Sequence, residues 1–219
     1  MKIGVFDSGI GGTSVLEAIK ALLPDEEYYY FADSKNCPYG EKEDDELYKI
    51  VKNNVELLKS WGAEIIIIAC NTATTRCIKK LREDYPEYPF VGTEPAVKLA
   101  ANSKARNILV LATPGTIHSE RLETLVHDNQ KANQKIKLLS CPGLADTIEL
   151  NLKNNPAKIK AKLSELLENT DKDSYDCIVL GCTHYSLIKP EIKEFFPSAD
   201  LIDGNLGIAE RVKSLIKTQ

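Results

Sequence analysis

Short, wholly apolar runs that end on a sulfur constrain this 219-residue chain more than any other feature. Ile65–Ile68 passes through Ala69 into Cys70-Asn71-Thr72, and Ile178-Val179-Leu180 passes through Gly181 into Cys182-Thr183-His184. Neither run alternates apolar with polar residues. Each therefore predicts a strand buried on both faces, as in a parallel sheet covered by helices. The two lie about half a chain length apart, so the chain reads as two related halves. Each half would present one cysteine at the carboxyl end of its sheet, where open α/β sheets bind ligands.

The rest of the pattern fits that frame. Strands are expected at Lys2–Phe6, Tyr28–Phe31, Ile65–Ala69 and Phe90–Val91, then at Asn107–Leu111, Ile136–Ser140, Cys177–Leu180 and Asp200–Ile202. Helical spacing predicts helices over Thr13–Leu23, Asp44–Trp61, Thr72–Tyr85, Gly115–Asp128, Asn155–Glu168, from about Leu187, and over Leu206–Lys217. The stretches near Pro95–Lys104 and Gln130–Gln134 read as the least structured. We expect a first domain over residues 1–95 plus 205–219, carrying Asp7 and Cys70, and a second over residues 96–204, carrying Cys182 and His184. Asp7, Asp33, Cys70, Thr113, Cys182 and Asp203 all follow strands, a convergence that packing alone does not require.

Composition narrows the function. A formal net charge of −4, with no Lys/Arg cluster among aromatics, argues against nucleic acid as the main partner. No apolar run approaches the ~20 residues of a membrane span, and no signal peptide is legible, so a cytoplasmic protein without a membrane partner is expected. Six cysteines in such a compartment read as free thiols. No pair has Cys-x-x-Cys spacing and the chain has three histidines, so a structural zinc site is not expected. A lone cysteine is by default a small buried apolar residue. Cys77, Cys141 and Cys177 are read that way, while Cys37 is placed on a loop with no assigned role.

Asp7-Ser-Gly-Ile-Gly-Gly12 is a glycine-rich strand-to-helix turn. It lacks the Gly-Lys-Ser/Thr of a phosphate loop and the dinucleotide spacing. It reads as an anion site for a small carboxylate, or more plainly as a tight turn with a capping Asp. Cys70 and Cys182 each precede hydrogen-bonding residues at an expected helix start, where amides and the helix dipole lower a thiol from its usual pKa of roughly 8.5. Taken singly, either cysteine is more readily a core residue. As a matched pair they suit a proton acceptor and a proton donor on opposite faces of one small molecule, the requirement of racemisation at an acidic carbon. A Cys–His hydrolase needs one cysteine only and leaves the second motif unexplained.

These residues also resemble a family. Asp7-Ser-Gly-Ile-Gly-Gly, Pro38-Tyr-Gly40, Ala69-Cys-Asn-Thr-Ala73, Glu94-Pro-Ala96 and Gly181-Cys-Thr-His-Tyr185 follow one another as in glutamate racemases, of the cofactor-independent aspartate/glutamate racemase superfamily. The resemblance runs from Lys2 to about Ile208. The His after Cys182-Thr183 is similar to the glutamate branch, where aspartate racemases typically carry an acidic residue. The resemblance implies two flavodoxin-like α/β domains, pseudo-symmetric about a cleft, with no metal and no pyridoxal phosphate. It implies that Cys70 and Cys182 are acid/base thiols, assisted by Asp7 and His184, with Glu149 as a further acidic residue of the site. Asp7, Ser8, Tyr39, Gly40, Asn71, Thr72, Thr183 and His184 are implied in binding the substrate. Glutamate is the implied substrate, with D-glutamate supplied to peptidoglycan, and so to cell wall and cell shape. Relatives are often homodimers. Racemisation of aspartate or another small acidic amino acid, or amino-acid binding without turnover, are the alternatives. The chain departs from the family pattern in the polar segment Leu144-Ala-Asp-Thr-Ile148, in Ser186 where proline is usual, and in Asp203-Gly204-Asn205.

Overall fold

The computed structural model describes residues 1–217. Its first part runs β1 (Lys2–Asp7), α1 (Thr13–Leu22), β2 (Glu27–Ala32), α2 (Asp44–Ser60), β3 (Ile65–Ile68), α3 (Asn71–Asp84) and β4 (Phe90–Gly92). A second series follows with α4 (Val97–Asn102), β5 (Asn107–Ala112), α5 (Pro114–Ile117), α6 (Glu120–Asn129), β6 (Lys135–Ser140), α7 (Leu144–Asn151) and α8 (Pro156–Leu166). It ends with β7 (Cys177–Gly181), α9 (Thr183–Ser186), α10 (Lys189–Phe195), β8 (Asp200–Ile202) and α11 (Asn205–Ile216). The strands form two four-stranded sheets, ordered β2-β1-β3-β4 and β6-β5-β7-β8, with every pairing parallel. Both orders are the flavodoxin-like 2-1-3-4, and β3 and β7 hold the same place in each.

Alternation along β3 explains its unbroken apolarity. Ile66 and Ile68 pack with Val51, Val55, Leu58 and Leu81 of α2 and α3, while Ile65 and Ile67 pack with Val15 and Ile19 of α1 and Ala209 and Val212 of α11. β7 repeats the scheme. Ile178 and Leu180 meet Leu144, Ile148, Ile159 and Leu163 of α7 and α8, and Cys177 and Val179 meet Val97, Ala100 and Leu122 of α4 and α6. Successive strand residues point to opposite faces, so each helical layer needs its own apolar set. The last helix thus covers the sheet formed by the start of the chain.

Several elements differ from expectation. The helix expected over Gly115–Asp128 is two helices, because the Ser119 side chain accepts a hydrogen bond from the Leu122 N–H and starts a new one. The helix expected from Leu187 is likewise α9 and α10, with Pro190 opening the second. Val97–Asn102, read as unstructured, is helical and buries Val97, Ala100 and Ala101. α7 was not expected as an element; it buries Leu144, Ala145 and Ile148.

Candidate active site

The carboxyl ends of β1, β3 and β7 meet along the seam between the sheets. Cys70 stands at the N-cap of α3 and Cys182 at the N-cap of α9, 6% and 7% exposed. Cys70 Sγ lies 3.8 Å from Ser8 Oγ, and Cys182 Sγ lies 3.9 Å from His184 Nδ1. Asp7, at the end of β1, is fully buried; Oδ1 accepts from Thr183 Oγ1 at 3.1 Å and Oδ2 from the Gly9 N–H at 3.2 Å.

Glu149 ties the two sheets' elements together from α7. Its Oε2 accepts from the Ile10 N–H and lies 2.8 Å from His184 Nε2, and its Oε1 accepts from Ser34 Oγ at 2.5 Å. The glycine-rich turn therefore does offer an amide to a carboxylate, and that carboxylate is the chain's own Glu149. Leu144 and Ile148 turn the opposite side of α7 into the core, which leaves Glu149 facing the seam. Tight approach requires the glycines here. A Cβ at Gly9 would sit 2.2 Å from Glu149 Oε2, and one at Gly11 would sit 2.5 Å from Thr183 Oγ1 and 2.6 Å from the His184 N.

A second group of contacts joins the sheets through hydroxyls. Thr72 Oγ1 lies 2.8 Å from Thr113 Oγ1 and 3.2 Å from Thr116 Oγ1. Gly40 abuts Thr113, where a Cβ would come within 2.8 Å. The Tyr39 hydroxyl points away into a buried network, donating to Asp33 Oδ2 at 2.6 Å and accepting from Asn54 Nδ2 at 2.7 Å. Asn71 is buried, and its Oδ1 has no hydrogen-bond partner. A cavity of about 590 Å³, lined by Gly40, Thr75, Arg76, Gly115 and His118 among others, opens on the outer side of this contact.

Of the six residues that follow strands, Asp7, Cys70 and Cys182 face one another at the seam, and Thr113 joins through Thr72. Asp33 instead braces Tyr39. Asp203 lies with the departures from the family pattern: it accepts from Ser186 Oγ at 2.9 Å and the Asn205 N–H at 3.2 Å, and pairs with Lys189. The polar letters in Leu144–Ile148 are the outward residues of α7. Ser34 and Thr116 were not legible as site groups, since each is recruited by a partner distant in sequence. Cys37 lies beside Glu149 and His184, whereas Cys77, Cys141 and Cys177 pack in the cores.

Burial governs the electrostatics. It pushes the Cys70 thiol up to about 12, with the Asp7 charge adding to it and the Ala73 and Thr72 amides and Ser8 opposing. Cys182 is raised well above an ordinary thiol by burial first, then by Cys70 and Asp7. The helix-start amides act in the expected direction, but burial outweighs them, and α9 is a single turn. Burial also raises Asp7 against the pull of His184, Gly9 and Thr183. At Glu149 burial acts upward, but hydrogen bonds from His184, Ser34 and the Ile10 amide together hold the carboxyl down at about 2.

The Asp/Glu/Hydantoin racemase family model matches residues 3–212. The chain is 41% identical to the glutamate racemase of Clostridium novyi over 223 aligned residues, covering 100% of this chain and 85% of that protein. Among solved structures it is similar to Escherichia coli glutamate racemase in complex with L-glutamate and the activator UDP-MurNAc-Ala, with a TM-score of 0.91 at 32% identity over 100% of this chain and 83% of that one. It is also similar to Francisella tularensis glutamate racemase in complex with D-glutamate, with a TM-score of 0.84 at 28% identity over 99% and 81% of the two chains.

Proposed function

The chain belongs to the Asp/Glu/Hydantoin racemase family, and we propose that it interconverts L- and D-glutamate through Cys70 and Cys182. The observation that carries this reading is the pair of buried thiols at equivalent strand ends, each beside its own polar companion, Ser8 or His184. The relatives bound to L-glutamate and to D-glutamate support the choice of substrate.

In this reading Cys182 as thiolate takes the α-proton of L-glutamate while Cys70 as thiol delivers its proton to the opposite face. D-glutamate reacts in the reverse sense. The α-proton is so weakly acidic that donors around the α-carboxylate must stabilise the developing charge, the dominant kind of catalytic contribution. Ser8, Thr72 and Thr183 have the hydroxyls for this, with Tyr39 and Gly40 shaping the wall. Asn71 Oδ1, a buried acceptor without a partner, suits the substrate's ammonium group, because such atoms are rarely left unsatisfied. His184 exchanges a proton with Cys182, Asp7 acts on Cys70 through its charge, and Glu149 orients His184. Residues 1–95 plus 205–219, of which 218 and 219 lie outside the described residues, and residues 96–204 form the two domains that close on the substrate. The product D-glutamate serves peptidoglycan synthesis in the cytoplasm.

The test is incubation with L-glutamate in heavy water without added cofactor, followed by circular dichroism and by proton NMR of the α-proton. Both signals should decay for glutamate and not for aspartate. Cys70→Ser and Cys182→Ser should each abolish racemisation, while exchange of the α-proton from one face persists. Decay with aspartate alone would replace the substrate, and no decay with either would leave a binding protein.

A further inference from the structure

We infer that Cys37, Glu149 and His184 form a site for a thiophilic divalent cation of the zinc class, and that its occupation blocks proton transfer at Cys182. The blocking part rests on the racemase reading above; the binding part does not. One ligand atom from each of the three residues lies within 4.8 Å of the other two. Zinc bonds sulfur at about 2.3 Å and nitrogen or oxygen at about 2.0–2.2 Å. A shift of about an ångström, the scale of a Cys37 side-chain rotation, would bring all three into one coordination sphere. Thiolate, imidazole and carboxylate together favour zinc, cobalt or cadmium over magnesium or calcium.

The partners of this triangle are already held. Ser34 Oγ and the Ile10 N–H fix the Glu149 carboxylate, as outer hydrogen bonds do for metal ligands. His184 directs Nδ1 toward Cys182 and Nε2 toward Glu149, so Nε2 is the atom a metal would take. Burial raises the Cys37 thiol, and the foremost charge bearing on it is that of Glu149, which its hydrogen bonds hold ionised, so a cation bridging the two is favoured there. Cys37 is half-buried and reachable, unlike the other five cysteines. Binding exchanges the Cys37 thiol proton for the metal and releases that proton to solvent. It also fixes His184 as the neutral tautomer with its proton on Nδ1 and withdraws Glu149 from it. Cys182 then loses its proton-exchange partner, so the metal acts as an inhibitor and not as a cofactor.

The experiment uses the full chain after treatment with a chelator. Cobalt(II) titration should give one equivalent with a thiolate-to-metal charge-transfer band, and zinc calorimetry should give the same stoichiometry. Cys37→Ser should lose the band and bind zinc about tenfold or more weakly, and Ser34→Ala should weaken zinc about tenfold. With chelator present Cys37→Ser should turn over like the parent, and it should keep that activity at zinc concentrations that stop the parent. A band that survives in Cys37→Ser but vanishes in Cys182→Ser would move the metal to the paired thiols and overturn the proposal, as would no binding at all. Zinc bound without inhibition would overturn the blocking part. If glutamate is not the substrate, the cobalt band and its dependence on Cys37 still report on the site.

Discussion

At Cys70 two influences compete on one sulfur atom: amides at a helix start favour the thiolate, and burial beside Asp7 disfavours it. Burial prevails, with the thiol pushed up to about 12. Iodoacetamide labelling of Cys70, read by mass spectrometry, should therefore rise by about tenfold per pH unit from neutrality without levelling below pH ~10. A plateau near pH 7 would show that the amides prevail. Glu149 has the opposite balance. Its folded value of about 2 lies below the ordinary 4.5, so the ionised group contributes stability that is present above the ordinary value and lost as pH falls from about 4.5 to about 2. Glu149→Gln should lower the urea midpoint at pH 7, and the difference from the parent should vanish near pH 2. A constant difference across that range would contradict the assignment. Residues at the ends of apolar runs, such as Asp7, Cys70 and Cys182, were legible because the strand that positions them is local. Ser34 and Thr116 were not, nor was the meeting of Cys37 with Glu149 and His184, because only the approach of distant segments assigns them a partner.

Among the elements, the long helices and strands were legible from periodicity, and the short ones were not. α4 buries Val97, Ala100 and Ala101, but alanines give little hydrophobic contrast, so its apolar stripe is faint. α7 is only eight residues long, and the polar letters on its outer side mask the Leu144–Ile148 pair. Conversely, the breaks after α5 and α9 depend on one cap and one proline, which a periodicity window averages away. The turn before α1 makes the sharpest mechanical demand. Gly11→Ala would drive a methyl against Thr183 and the His184 backbone. Displacing α9 by an ångström should lower turnover about a hundredfold, with far-ultraviolet circular dichroism unchanged. Unaltered turnover would mean that the turn yields without moving α9.

For the whole molecule, the final helix packs against α1 and the first sheet. Val212 is fully buried against the face formed by Val15, Ile19, Ile65 and Ile67. Val212→Asp places an unpaired charge there and should cost more than ~4 kcal/mol. If residues 1–95 and 205–219 form one domain, limited proteolysis of this variant should digest that part while a fragment spanning 96–204 survives. Simultaneous loss of both would show that the sheets do not fold separately. Two related halves, each a series of strands alternating with helices, were legible in the sequence; the order of the strands within each sheet was not, and periodicity alone does not say which sheet a helix covers.

The two sulfurs occupy matching positions yet keep different company, a hydroxyl at one and an imidazole at the other. If they interconvert mirror images, the two ground states in solution have equal free energy and the equilibrium constant is one. The ratio of kcat to KM must then be the same in both directions at every pH, however unlike the two neighbourhoods are. The imidazole can make one direction faster at saturation only if KM for that enantiomer rises in proportion. Complete progress curves started from each enantiomer should show this compensation: unequal plateau rates, identical initial slopes at low concentration, and an endpoint with no optical rotation.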